Sequence, residues 1–249
     1  MILAESTWKD VEAFGRGGVV LIPTGSLEQH GPHLPLLTDS ILVSIVASEV
    51  ERQLPSQVLL TPTLWLGASA HHLAFPGTLS ASMPTYLGAV ADVVDSLVPH
   101  GFTKFFVLNG HGGNTDPNGM VTRELKRRYA NLHIGHRGYF DFAVSVIADV
   151  LDGPTKFMRH ACEAETSLML HLRPDLVRFE LARNDGLRVE PSVAGLVLPF
   201  HEVTEEGSLG YAPLASAEKG RLIFESAVAG VVENTRRLAD GYLLVGDQE

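Results

Sequence analysis

The sequence predicts an α/β fold: a single domain spanning residues 1–249, with a mostly parallel central sheet flanked by helices on both faces. Three observations lead there. Short, continuously apolar runs mark strands buried on both sides, as parallel sheets require. These runs alternate with amphipathic stretches of helical length, the order of repeated strand–helix–strand units. No repeat of 20–50 residues and no low-complexity tract breaks the pattern.

Residues 18–23 (GVVLIP) are the first expected strand, and residues 40–54 the next helix, ended before Pro55. Residues 58–64 are a second strand, residues 85–98 a helix stopped near Pro99 and Gly101, and residues 104–108 (KFFVL) a third strand. A helix over 117–129 and a fourth strand over 132–138 follow. Later helices run from about Glu163 to Leu172 and from Ala217 to about Tyr242, the last with Ser216 as its N-cap. Residues 184–213, rich in Gly and Pro, form a long loop with short strands, of a length that usually serves function or assembly.

A formal net charge of −10 argues against a phosphate-backbone surface, so no nucleic-acid partner is expected. The one short basic cluster, Lys126, Arg127 and Arg128, is a solvated helix end. No apolar run approaches the roughly 20 residues that cross a bilayer, and no signal-peptide pattern opens the chain. A single cysteine, Cys162, forms no intrachain disulfide and fits a reducing compartment. The expectation is a cytoplasmic protein without a membrane partner.

The densest chemistry lies in Gly25-Ser26-Leu27-Glu28-Gln29-His30-Gly31-Pro32-His33-Leu34-Pro35-Leu36-Leu37-Thr38-Asp39. It follows the first strand, at the edge where open α/β sheets bind ligands. Glu28 and His30, two apart, point the same way on extended backbone. Gly31, Pro32 and Pro35 allow the chain to curl, and Asp39 falls at a helix start that favours negative charge. Carboxylate, imidazole and carboxylate on a curled loop can hold zinc, manganese or iron, and a plain polar surface loop is the rival reading. Asn109-Gly110-His111-Gly112-Gly113-Asn114 occupies the equivalent place after the third strand, with His111 as its ligand-type side chain. Gly112 and Gly113 would let backbone approach a substrate. A phosphate-cradling loop is the alternative, but the Gly-Lys-Ser/Thr ending is missing. A third segment, His160-Ala161-Cys162-Glu163-Ala164-Glu165, leads into an apolar helix and can also be read as simple capping.

Together these segments resemble the creatininase (creatinine amidohydrolase) family. The matching pieces are GSLEQHGPHLPLLTD (25–39), FPGTLS (75–80), NGHGGN (109–114), ETSLML (165–170) and ASAEKG (215–220), in the family's order. The resemblance implies a single α/β domain, a divalent metal centre of one or two ions, a small-molecule substrate, and a homo-oligomer, commonly a hexamer. It also implies Glu28, His30, Asp39 and His111 as metal ligands, with Asp39 between two ions. Creatininase carries a ligand glutamate two residues after the metal histidine, where this chain has Gly113, so one ligand position is open. Glu165 is the first candidate to fill it and Glu163 the second. Three carboxylates and a hydroxide carry about −4, which balances about +4 from two divalent ions in a buried site. His160 matches a histidine that assists proton transfer, and Glu163 is the alternative proton shuttle. The Trp-Asp pair expected shortly before it is replaced by Lys156 and Phe157, which argues against creatinine. The family also holds formamide hydrolases, a peptidase acting on a cofactor precursor, and keto-inositol hydrolases.

The expected chemistry is hydrolysis of a linear or cyclic amide by water that the ion activates, with His160 protonating the departing nitrogen. His71 and His72, beside FPGTLS, either line the substrate pocket or sit at a subunit contact. His133-Ile134-Gly135-His136 spells a synthetase motif but lies within an expected strand and is set aside. Cys162 reads as a small packed side chain rather than a nucleophile. A non-catalytic metal or small-molecule binder and a nucleotide binder are the competing classes; metal analysis with amide hydrolysis, and nucleotide binding, separate them.

Overall fold

A computed structural model describes residues 1–187 and 193–241. Helix α1 (Trp8–Ala13) precedes β1 (Val19–Thr24), α2 (Thr38–Gln53), β2 (Val58–Leu60), α3 (Met83–Leu97) and β3 (Lys104–Asn109). Then come α4 (Thr115–Arg128), β4 (His133–Gly138), α5 (Val144–Val150), α6 (Glu163–Leu172), β5 (Asn184–Asp185), α7 (Phe200–Val203), β6 (Gly210–Tyr211) and α8 (Ala217–Asp240). The strands β2-β1-β3-β4 form one parallel sheet in that order. Alternate residues of β1 and β3 pack to opposite sides. Val19, Leu21, Phe106 and Leu108 meet α2, α6 and α8, whereas Val20, Ile22, Phe105 and Val107 meet α3 and α4. The expected two-faced α/β architecture is therefore present.

Register places Thr24 of β1 opposite Asn109 of β3. The chain leaves β1 toward β2 on one side and returns in β3 on the other, so a crevice opens at the C-terminal ends of these two strands. Both ligand-bearing loops start there.

Several boundaries differ from the sequence reading. The strand expected over 58–64 pairs regularly only over Val58–Leu60, because Pro62 has no N–H to give. Pairing resumes as one bridge between Leu64 and Thr24. Helices α3 and α4 begin at Met83 and Thr115, earlier than expected, since Pro84 and Pro117 fit the first helical turn. Ser82 caps α3 and Ser216 caps α8, its hydroxyl accepting from Lys219 N. The expected end of the last helix at Tyr242 lies outside the described residues. Helices α1, α5 and α7 were not anticipated. No helix among the described residues is long and apolar enough to cross a membrane.

Candidate metal centre and substrate pocket

Beyond β1 the chain runs extended, curls at Gly31 (φ +63°), and enters α2 with Asp39 in its first turn. This brings Glu28, His30 and Asp39 together, all buried. Asp39 splits its carboxylate: Oδ1 lies 3.1 Å from His30 Nε2, and Oδ2 lies 3.0 Å from His111 Nδ1. Glu28 Oε1 lies 3.2 Å from His111 Nδ1, 3.3 Å from His72 Nε2 and 3.5 Å from His160 Nδ1. Glu165 Oε2 stands 4.0 Å from His30 Nε2. Two of these buried oxygens, Glu28 Oε1 and Asp39 Oδ2, have imidazole nitrogens close by but accept no well-directed hydrogen bond among the described residues.

The imidazoles are oriented from behind. His30 Nδ1 donates to the backbone oxygen of Glu28 at 3.1 Å, which leaves Nε2 for the cluster. His111 turns its other nitrogen outward, Nε2 donating to Ser69 Oγ and Ala68 O, both at 3.3 Å. A line of donors then runs from His111 through Ser69 Oγ and Ser26 Oγ to Glu28 Oε2, the last step 3.0 Å. Gly113 leaves room for this arrangement, since a Cβ there would lie 2.4 Å from His111 Nε2. His160 Nε2 donates to Gln29 O at 2.7 Å, so Nδ1 is the nitrogen that faces Glu28. Gln29 Nε2 donates to His72 Nδ1 and to Gly207 O, both at 2.8 Å.

Electrostatics follow from this packing. Burial opposes ionisation of Glu28, yet His111, His160 and His72 outweigh it and hold the carboxyl well below its usual range. Burial likewise opposes the His30 cation, but Asp39, Glu165 and Glu28 raise it to about 10. His111 is raised well above its ordinary value by the same contest, with Glu28 and Asp39 prevailing over burial. Burial pushes Glu165 up to about 8. The cluster therefore holds protons where carboxylate oxygens and imidazole nitrogens converge. A divalent cation would replace those protons, as deprotonated ligands require. The donor set of oxygen and imidazole suits zinc, manganese or iron, and the two orphaned oxygens fit such an ion.

The cluster forms the floor of a cavity of about 420 Å³, lined by Glu28, Asp39, His71, His72, His111, Gly112, Gly113, His160 and Glu165. That volume suits a small organic molecule. Phe200 of α7 covers it, 4.0 Å from the His72 ring and 4.7 Å from the His160 ring between centroids. His71 stacks beside His111 at 5.7 Å.

Glu163 is the correction. Its oxygens accept from the backbone N–H groups of Asp152 (2.8 Å) and Gly153 (3.0 Å) and from Lys219 Nζ (2.6 Å). It lies outside the cavity lining and the ligand clusters, so it is withdrawn both as a proton shuttle and as the second candidate ligand. The reason is α6 itself: Glu163 and Glu165, two apart on a helix, point in different directions. Burial raises the Cys162 thiol to about 11, consistent with a packed side chain. Ser26, Gln29, Ser69 and Phe200 were missed. Ser26 and Gln29 lay within the first motif, but Ser69 and Phe200 carried no motif signal.

Fold and site together define an α/β protein with a candidate metal centre at the switch point of its parallel sheet. The comparisons then give the family. Residues 4–235 match the model for Creatininase, described as creatinine amidohydrolase. The chain is 31% identical to the creatinine amidohydrolase of Pseudomonas putida over 95% of its own length and 96% of the relative's. It is also 31% identical to the mycofactocin precursor peptide peptidase of Mycolicibacterium smegmatis, over 88% and 85%. A mutant creatininase of zinc–zinc type overlays with a TM-score of 0.82 at 31% identity, covering 95% of this chain and 97% of that one. A manganese creatininase does so with the same TM-score and coverage at 30% identity. The chain belongs to the creatininase family of amidohydrolases.

Proposed function

We propose that this chain hydrolyses a small amide other than creatinine, at a centre held by Glu28, His30, Asp39, His111 and Glu165. The observation that carries the reading is the divided carboxylate of Asp39, one oxygen toward His30 and the other toward His111. Glu28 stands with His111 on one side, and Glu165 with His30 on the other, which supports positions for two ions. A bound divalent cation supplies a Lewis acid that activates water and polarises the scissile carbonyl. His160, anchored through Nε2 on Gln29 O, takes up and delivers the proton for the departing nitrogen at Nδ1. Phe200, His71 and His72 wall off bulk water and position the substrate against this nitrogen. Gly112, where a Cβ would meet nothing within 4 Å, leaves its stretch of wall open to substrate, and Gly113 beside it makes room for His111 and His71. Lys156 and Phe157, in place of the Trp-Asp pair of creatininase, support a substrate other than creatinine.

The test is metal content of the purified protein by mass spectrometry, together with hydrolysis of an amide panel after loading with zinc, manganese or iron. Glu28→Ala and Asp39→Ala are expected to lose bound metal and hydrolysis together. Undiminished turnover by metal-stripped protein would overturn the reading, and stoichiometric metal without hydrolysis of any amide would favour a binding protein.

A further inference from the structure

Among the described residues, Arg159 is the one lysine or arginine that lines the cavity. It is half-buried, and its guanidinium meets no carboxylate among the described residues. Its guanidinium carbon lies 5.7 Å from the centroid of the Phe157 ring. Arg16, Arg123 and Arg178 likewise form no ion pair with a carboxylate among the described residues, but none of them lines this cavity. Arg52, Arg127, Arg128, Arg173 and Arg221 each hold a carboxylate of their own. Arginine presents a planar fork of donors that matches an oxyanion and stays charged at any physiological pH.

The backbone fixes where this cation sits. Arg159 N donates to Cys162 Sγ at 3.4 Å, and Ala161 adopts a left-handed conformation (φ 48°). The same turn therefore sets both Arg159 and His160. The floor of the same cavity holds Glu28, Asp39 and Glu165, so the guanidinium and the proposed metal centre face one space. Phe140, Phe157 and Phe200 supply apolar walls that strengthen any charge pair formed beside them.

We propose that Arg159 selects an amide substrate bearing an oxyanion, a carboxylate or a phosphate, at the end remote from the scissile bond. The guanidinium pairs with that oxyanion and, from its place beside His160 in the same turn, holds the amide end toward the centre. This deepens the amide-hydrolase reading and rests on it.

The experiment compares N-formylglycine with N-formylglycinamide, a carboxylate and its neutral carboxamide, on metal-loaded protein. In parallel, calorimetry measures binding of both compounds to metal-free protein. The unaltered chain is expected to favour the carboxylate in kcat/KM by about 10- to 100-fold, the range of a charge-assisted hydrogen bond. Arg159→Gln should collapse that ratio toward one, mainly through KM, and Arg159→Lys should restore part of it. Competition by acetate against methyl phosphate assigns the oxyanion: the stronger competitor names the group. Equal kcat/KM for both amides, or an unchanged preference in Arg159→Gln, would overturn the proposal while leaving amide hydrolysis intact. If neither compound is hydrolysed, the reaction proposed above fails for these amides, and calorimetry still decides on Arg159. Binding of N-formylglycine that Arg159→Gln abolishes upholds the selection, and binding indifferent to the substitution removes it.

Discussion

At the residue scale, the site depends on side chains that touch no substrate. His111 and His30 present different nitrogens to the cluster because different acceptors stand behind them: Ser69 Oγ with Ala68 O, and Glu28 O. Fixing the tautomer in this way raises the basicity of the facing nitrogen, and losing such a partner typically costs about 10- to 100-fold in metal affinity. Ser69→Ala is therefore expected to weaken metal binding by roughly tenfold, the lower end of that range because Ala68 O remains as an acceptor. Competition with a chelator of known affinity reads this directly. Affinity equal to that of the unaltered protein would show that Ser69 plays no part. Sequence could not single out Ser69, since serine is common and its partners Ser26 and His111 lie 43 and 42 residues away. Glu28, His30 and Asp39 were legible for the opposite reason: they crowd one short loop whose glycine and prolines forbid a helix.

At the element scale, the functional helix α6 is held by α8. Ser216 N donates to Ser167 Oγ at 3.1 Å, and Lys219 Nζ pairs with Glu163 at 2.6 Å. Gly220 sits where the two backbones meet, so close that a Cβ would lie 1.9 Å from Ser167 O. Gly220→Ala must push α8 off α6, an overpacking cost of about 1–3 kcal/mol. The gain in helix propensity returns up to about 1 kcal/mol of this. Gly88 in α3 is the control, because a Cβ there meets nothing within 4 Å. Thermal melts should show Gly220→Ala below the unaltered chain and Gly88→Ala at or above it. A Gly220→Ala melt as high as that of Gly88→Ala would mean the helices do not meet as described. The strands and longer helices were legible because apolar runs and caps are local signals. Helices α1 and α5 were overlooked: α1 is six residues long with none of them buried, and α5 is seven residues long and buries only Ile147. The clamp on Glu163 was equally invisible, since it joins residues 56 apart in the chain.

At the scale of the whole molecule, stability should depend on acidity through His33, which sits between the first ligand loop and α6. Its Nε2 meets Thr166 Oγ1 at 2.9 Å, Nδ1 has no hydrogen-bond partner among the described residues, and the residue is 1% exposed. Burial, with His30 and Arg183 nearby, lowers its pKa from 6.5 to about 4. The unfolded chain thus takes up this proton near pH 6.5, whereas the folded chain refuses it until about pH 4. Between those values the unfolded state binds more protons, so stability falls as pH falls and rises again with pH. The loss at pH 4.5 is about 2–3 kcal/mol relative to pH 7, at 1.36 kcal/mol per pKa unit. His33→Gln keeps an amide that can reach Thr166 and removes the titration. Urea unfolding at both pH values should therefore show a smaller drop for His33→Gln than for the unaltered protein, by about that amount. Burial lowers the pKa of His136 as well, but that group is common to both proteins and cancels in the comparison. Equal drops in the two proteins would show that His33 accepts its proton in the fold as readily as in the open chain, and that the join between the ligand loop and α6 admits water.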